Sequence, residues 1–265
     1  MPLVADKQAL ENRGTQVNAG SRRRSTVQSV ARAFDVLEIL KRATAPMSAL
    51  EVARAVGLDR TVVHRLLRTI SEYGIAVEEH GTFRLGPASV LIANRYVDNL
   101  LVRRLALPYL LDLQSRVLGE RPWNVSLSIP VGDVSTVVER IWTPRIPLDA
   151  VLDVGDTHAI DRGAAGRSML AYYEASDARE VIGTERYADV ALVLETVRAA
   201  GGVALSAGEA SPGTDAVAAA IRSRRSQPVA AIAVAGLQLG DELAYDSSLA
   251  GHLRRSAEAI GHAIP

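Results

Sequence analysis

The chain has 265 residues, 48% of them hydrophobic, 23% charged and 4% aromatic, with a formal net charge of zero. That length suits one large domain or two of moderate size, and the balance of apolar and charged residues excludes wholesale disorder. Cysteine is absent, which excludes disulfides, Cys-ligated zinc, iron–sulfur clusters and thiol catalysis together.

Residues 1–25 are polar and aperiodic and end in Ser-Arg22-Arg23-Arg24-Ser, which predicts a mobile, basic-ended arm. From Thr26, Val27, Val30, Phe34, Leu37 and Leu40 form one apolar stripe of a helix ended by Thr44-Ala45-Pro46. Ser48-Ala-Leu-Glu51 is a capping box that opens a short helix, and Gly57 stops it. Asp59 can then cap a third helix running to about Tyr73. Its Val63, Leu66, Leu67 and Ile70 recur at the spacing of a buried face. Thr61, His64, Arg65 and Arg68 share the opposite face, with Arg60 at the helix start and no acid among them. Solvent faces usually mix charge signs, so this face is unusual. Residues 75–85 alternate around a His80-Gly81 turn and predict a β-hairpin. Helix, capped helix, glycine turn, basic helix and hairpin is the order of a winged helix-turn-helix.

Gly86-Pro87 marks a boundary. Helices follow at about 88–101 and 104–118, then strands over 123–129 and 135–142, with helices near 164–175, 177–183 and 189–200. Strands near 203–206, 216–222 and 228–235 and a closing helix at 244–263 complete the pattern. Hairpins and helices without strict βαβ alternation imply an α+β fold with an antiparallel sheet. The expected organisation is an arm (1–25), a winged helix-turn-helix domain (26–86), a linker helix (87–103) and a second domain (104–265).

Charge follows this division: residues 21–70 carry +6 and residues from 101 onward carry −4. A basic module on an acidic remainder points to a polyanion partner. Arg60, Thr61, His64 and Arg65 are placed to meet base edges in a major groove, and Arg68, one turn on, to meet phosphate. Ser48 could offer its hydroxyl and the helix N-terminal amides to a phosphate, and His80, Thr82 and Arg22, Arg23 and Arg24 could reach a flanking groove or backbone. Such a helix also serves protein–protein contacts, so an adaptor is the rival reading. An enzyme is the weaker rival: no Gly-x-Ser-x-Gly occurs, and Gly163-Ala-Ala-Gly166-Arg-Ser168 lacks the spacing and lysine of a Walker loop. The five histidines form no ligand cluster, so no metal and no cofactor is expected, and Asp153, Asp156, His158 and Asp161 are read as a solvated acidic loop. Without a long apolar run or a signal pattern, no membrane association is expected and the location expected is the cytoplasm.

The run SVARAFDVLEILKRATAPMSALEVARAVGLDRTVVHRLLRTISEYGIAVEEHGTFRLGP resembles the DNA-binding domain of IclR-type bacterial transcriptional regulators. VVERIWTPRIPL (137–148), GAAGRSMLAYY (163–173) and VAAIAVAGL (229–237) are similar to that family's effector-domain landmarks and occur in the same order. The resemblance implies a ligand-responsive, sequence-specific repressor or activator. Its C-terminal domain would be GAF-like, a curved antiparallel sheet flanked by helices enclosing a small organic metabolite. The protein would be a homodimer or homotetramer reading a pseudo-palindromic operator of double-stranded DNA.

Matched by these motifs, the effector cavity falls to Ser206, Ala216, Ala233 and Ala235, with Ala164 and Ala165 at a helix N-terminus and Trp142, Ser126, Ser128 and Asp215 beside them. Alanines where that family places polar side chains imply a roomier, more apolar pocket. The ligand would be an organic acid larger or less polar than pyruvate, or an aromatic or amphipathic metabolite; alternatively, the cavity has shrunk and holds nothing.

Overall fold

The computed structural model describes residues 27–141 and 152–265. The chain divides between Asn99 and Leu100 into two compact units.

In the first unit, α1 (Gln28–Arg42), α2 (Ala49–Val56) and α3 (Arg60–Glu72) pack beside a three-stranded antiparallel sheet of order β1-β3-β2. Its strands are β1 (Met47–Ser48), β2 (Ala76–Glu79) and β3 (Thr82–Leu85). Fully buried Val36, Val52, Val63, Leu67 and Phe83 form the centre. Each such side chain contributes roughly 1.5–3 kcal/mol by leaving water. The α1 stripe splits in two. The core takes the helix from Ala33 through Leu40, while Val27, Val30 and Phe34 are left exposed, Phe34 at 66%. A core built from three short helices closes before it reaches the first turns of α1. Helix α4 (Ala88–Asn99) buries nothing and exposes Val90, Leu91, Ile92 and Tyr96.

The second unit is built on a six-stranded antiparallel sheet of order β6-β5-β4-β9-β8-β7. These are β4 (Trp123–Val131), β5 (Val134–Ile141), β6 (Thr157–Ala159), β7 (Val203–Ala207), β8 (Asp215–Arg222) and β9 (Pro228–Gly236). Side-chain alternation gives the sheet two unlike faces. Val125, Leu127, Ile129, Val217, Ile221, Ile232 and Val234 face a core shared with α5 (Leu101–Asp112), the π-helical segment Leu113–Leu118 and α9 (Ser248–His262). The alternate residues are small: Ser126 and Ser128 on β4, Ala216 and Ala218 on β8, Ala231, Ala233 and Ala235 on β9. On that face lie α6 (Gly163–Leu170), α7 (Ala175–Ile182) and α8 (Thr184–Ala199). The architecture is the α+β arrangement expected: a winged helix followed by a curved antiparallel sheet flanked by helices. The sequence pattern missed the short strands β1 and β6 and drew α6 too long.

Candidate functional sites

The capping box closes as its spacing predicts. The Glu51 amide donates to Ser48 Oγ (3.3 Å), while Glu51 Oε2 accepts from both the Ser48 amide and the Ser48 hydroxyl, each at 2.7 Å. These bonds, the Ser48 hydroxyl first, hold the Glu51 carboxyl below its ordinary value. Gly57 then turns the chain in the left-handed region (φ +68°). Asp59 Oδ1 accepts from the Thr61 and Val62 amides at 2.8 and 3.3 Å, and those bonds lower the pKa of Asp59. Two caps and a glycine thus fix the angle between α2 and α3.

With Val63, Leu67 and Ile70 buried, Arg60, Thr61, His64, Arg65 and Arg68 all stand exposed on the opposite face of α3. Among the described residues, none of the three arginines has a carboxylate within ion-pair distance. The His64 ring meets the buried Phe83 ring edge-on, with centroids 6.3 Å apart. In the hairpin, His80 (φ +53°) and Gly81 (φ +79°) are both left-handed, the geometry of a tight two-residue turn, and His80 is exposed. Thr82 Oγ1 donates to the Glu79 carbonyl (2.8 Å), and Arg84 pairs with Glu79 at 2.7 Å. The hydroxyls of Ser48 and Thr82 are therefore already committed inside the fold, unlike the three arginines of α3. This counts against the hydroxyl's part in the phosphate contact expected at Ser48, because its proton goes to Glu51. Arg22, Arg23 and Arg24 lie outside the described residues.

The second site is a cavity of about 50 Å³ between α6 and the small-residue face of the sheet. Its walls include Ser126, Ser128, Ala164, Ala165, Ala216, Ala233 and Ala235, all expected there. Ser135, His158, Arg162 and Leu152 were missed. His158 sits on a strand too short to show a period, and Arg162 is the residue from which α6 springs. Asp215 is one step out of phase with Ala216, and its carboxylate accepts from the Leu239 amide (3.1 Å), so it belongs to the other side of the sheet. Ser206 is buried opposite Ala216 in register but does not line the cavity. Trp142 lies outside the described residues.

The roomier pocket expected from the alanines is not what the structure shows: the cavity between α6 and the alanine face measures about 50 Å³. A Cβ on Gly166 would lie 2.3 Å from the Ile160 carbonyl oxygen, and one on Gly163 (φ +73°) 2.7 Å from the Ala210 Cβ. Glycine at 163 leaves room for the Ala210 methyl, and glycine at 166 lets α6 lie directly against the Ile160 carbonyl. Three ion pairs and hydrogen bonds hold it there. Arg186 pairs with Asp161, Arg167 Nε donates to the Asp161 carbonyl (3.0 Å), and Arg167 pairs with Glu209 (3.1 Å). Burial pushes Glu209 up, but hydrogen bonds from Ser206, Arg167 and the Ala207 amide outweigh it and leave the carboxyl below its ordinary value. At the sheet edge, His158 pairs across strands with Ser135, and its Nε2 is buried without a partner. Burial lowers its pKa, against the opposing field of Asp156. Asp153 pairs with Arg140 at 2.6 Å, so the acidic loop is largely neutralised, and the described residues contain no metal-binding cluster.

A capped helix pair presenting a cationic helix, joined to a sheet domain with a helix-covered cavity, defines a winged-helix protein with an attached ligand-domain fold. Residues 29–80 match the model of the IclR helix-turn-helix domain, and residues 94–262 match that of the bacterial transcriptional regulator IclR C-terminal domain. The chain belongs to the IclR family of bacterial transcriptional regulators. It is 27% identical over 221 residues to a glycerol operon regulatory protein of Streptomyces coelicolor, covering 79% of this chain and 85% of that one. It is 31% identical over 147 residues to the HTH-type transcriptional regulator Rv1719 of Mycobacterium tuberculosis, a match spanning 55% of this chain and 54% of that protein. An IclR homolog from Microbacterium hydrocarbonoxydans, solved in complex with 4-hydroxybenzoate, shares the fold with a TM-score of 0.70 at 21% identity, covering 88% and 97% of the two chains. Among the described residues no helix is long and apolar enough to cross a membrane.

Proposed function

We propose that the chain is a cytoplasmic, non-catalytic regulator that binds a pseudo-palindromic operator as a homo-oligomer and releases or reorients on it when a small organic metabolite occupies the α6 cavity. The observation that carries the DNA reading is the unpaired Arg60/Arg65/Arg68 face of α3, aimed away from a fully formed core. Arg60, Thr61, His64 and Arg65 at the start of the helix suit base edges, and Arg68 suits phosphate. His80 at the hairpin tip, with Arg22–Arg24 ahead of α1, suits the flanking backbone. The exposed Val27, Val30 and Phe34 of α1 and Val90, Leu91 and Ile92 of α4 form apolar surface that a second copy would cover.

For the ligand, apolar alanine walls, three serine hydroxyls and the exposed Arg162 at the mouth favour a small organic acid with a flat apolar body. Its carboxylate would take the Arg162 guanidinium and the amides opening α6. At about 50 Å³ the cavity is far below the roughly 300 Å³ of typical ligand sites, so occupancy requires its walls to part. A ligand that binds only the parted form shifts the population toward it, which is how occupancy would reach the DNA-binding unit.

Fluorescence anisotropy against the upstream intergenic DNA and a shuffled control, across a salt series, tests the DNA reading. Saturable, salt-sensitive preference for the native fragment is expected. Salt-insensitive capture of a protein partner would favour the adaptor. Thermal shifts with pyruvate and 4-hydroxybenzoate test the cavity: stabilisation by the aromatic acid over pyruvate is expected, and the reverse order would discard the apolar-walled site.

A further inference from the structure

A second, larger cleft lies at the other end of β8. It measures about 280 Å³ and shares no residue with the α6 cavity. From Ala216 in the first site to Arg222 in the second is six residues of strand, about 20 Å. Its walls come from the end of β8, the β8–β9 turn, the Gly201 turn before β7, and one face of α9. Arg254, Ala257, Glu258, Gly261 and His262 recur on that helix at the spacing of a single face.

Three arginines line this cleft, each positioned by a built feature. Arg222 is stacked over the Tyr172 ring, 4.2 Å from its centroid. Arg224 donates from Nε to the His262 carbonyl (2.9 Å), and its own amide donates to the Ile264 carbonyl (3.2 Å). The stem of Arg254 crosses Gly201, where a Cβ would lie 3.0 Å from its Cδ. Gly261 lets α9 press against the strand end, since a Cβ there would sit 2.2 Å from the Arg222 carbonyl oxygen. Among the described residues none of the three arginines forms an ion pair, and Glu258 is the one carboxylate in the walls. The Ser223 and Ser226 side chains complete the lining, with Ser226 held in the left-handed region (φ +63°) by the turn.

Held guanidiniums of like charge repel one another, and an anion placed among them relieves that repulsion. A planar fork donating two parallel N–H groups matches a phosphate or carboxylate, and three forks around one cleft favour the higher charge of a phosphate dianion. We propose that this cleft binds a small phosphate-bearing metabolite, making it a second ligand site of the C-terminal unit, independent of the α6 cavity.

The full-length chain titrated with inorganic phosphate and with pyrophosphate, at ionic strength balanced by chloride, tests this by calorimetry and thermal shift. Saturable binding is expected, at least tenfold weaker in Arg254→Gln and in Arg224→Gln. Both arginines are at least partly exposed, and urea unfolding of the two variants confirms that they fold. A response that follows ionic strength alone, or equal affinity in wild type and both variants, overturns the proposal. So does a change of oligomeric state in Arg254→Gln, which would make the cleft a subunit interface. Loss of DNA affinity without any loss of phosphate binding would assign these arginines to the nucleic-acid backbone and overturn it as well.

Discussion

Ser135 on β5 and His158 on β6 stand directly opposite each other across the sheet edge, and both line the cavity beneath α6. The strand pairing that brings them together also buries the His158 ring, leaving Nε2 with no partner among the described residues. The ring is thereby kept neutral where an exposed histidine would begin to charge.

That arrangement has a pH signature. Burial lowers the folded-state pKa of His158 below its unfolded value of about 6.5. The neutral form is the one the fold accepts, so the associated stability is complete above about pH 6.5 and is lost as pH falls below it toward the folded pKa. Urea midpoints measured from about pH 8 down to about pH 5.5 should fall more steeply in the wild type than in His158→Asn, which has nothing to titrate there. Parallel curves would remove His158 from the account.

Arg65 and Arg68 share the exposed face of α3 but are expected to behave differently. Arg65→Ala should cost about 1–3 kcal/mol of operator affinity and relax preference at one base position. Arg68→Ala should weaken all sequences alike and reduce the salt slope by about 1. Anisotropy against a set of single-substitution operators separates the two, and neither change should alter the unfolding midpoint, because both side chains are exposed.

Gly166→Ala tests the close approach of α6. With the Cβ 2.3 Å from the Ile160 carbonyl oxygen, the helix must retreat or the turn before it must shift. Overpacking of this kind costs about 1–3 kcal/mol, to be read from urea unfolding. The variant should also change ligand response more than operator affinity measured without ligand.

Phe34 is a large apolar side chain that the first unit leaves uncovered. Phe34→Glu should shift sedimentation toward smaller species and lower operator affinity through loss of paired half-sites, while the unfolding midpoint of the dissociated chain changes little. An unchanged sedimentation profile would place the subunit contact elsewhere.

Much of the first unit was legible because its signals are local. Ser48 and Glu51 are three residues apart, Asp59 caps the turn beside it, and Val63, Leu66, Leu67 and Ile70 recur within one helix. Such interactions are decided by spacing alone. The cavity was legible in part, because strand alternation carries Ala216, Ala233 and Ala235 to one face once the strands are known. Asp215 was misplaced by a single step of the same alternation, and a one-residue error inverts a side chain in a sheet. His158 and Arg162 carried no periodic signal. Their role in the lining depends on β6 pairing with β5 and on α6 starting where it does.

The sequence by itself determined the order of elements, the two caps that set the helix-turn-helix, the acid-free face of α3 and the split between a basic and an acidic half. Tertiary structure alone decided how large the cavity beneath α6 is, since its volume depends on how closely that helix sits on the small-residue face of the sheet. It also gathered Arg222, Arg224 and Arg254, up to 32 residues apart in sequence, around one cleft. Residue type and spacing act within a few turns of chain, whereas volume and the convergence of distant charges exist only after the sheet has paired and the helices have closed on it.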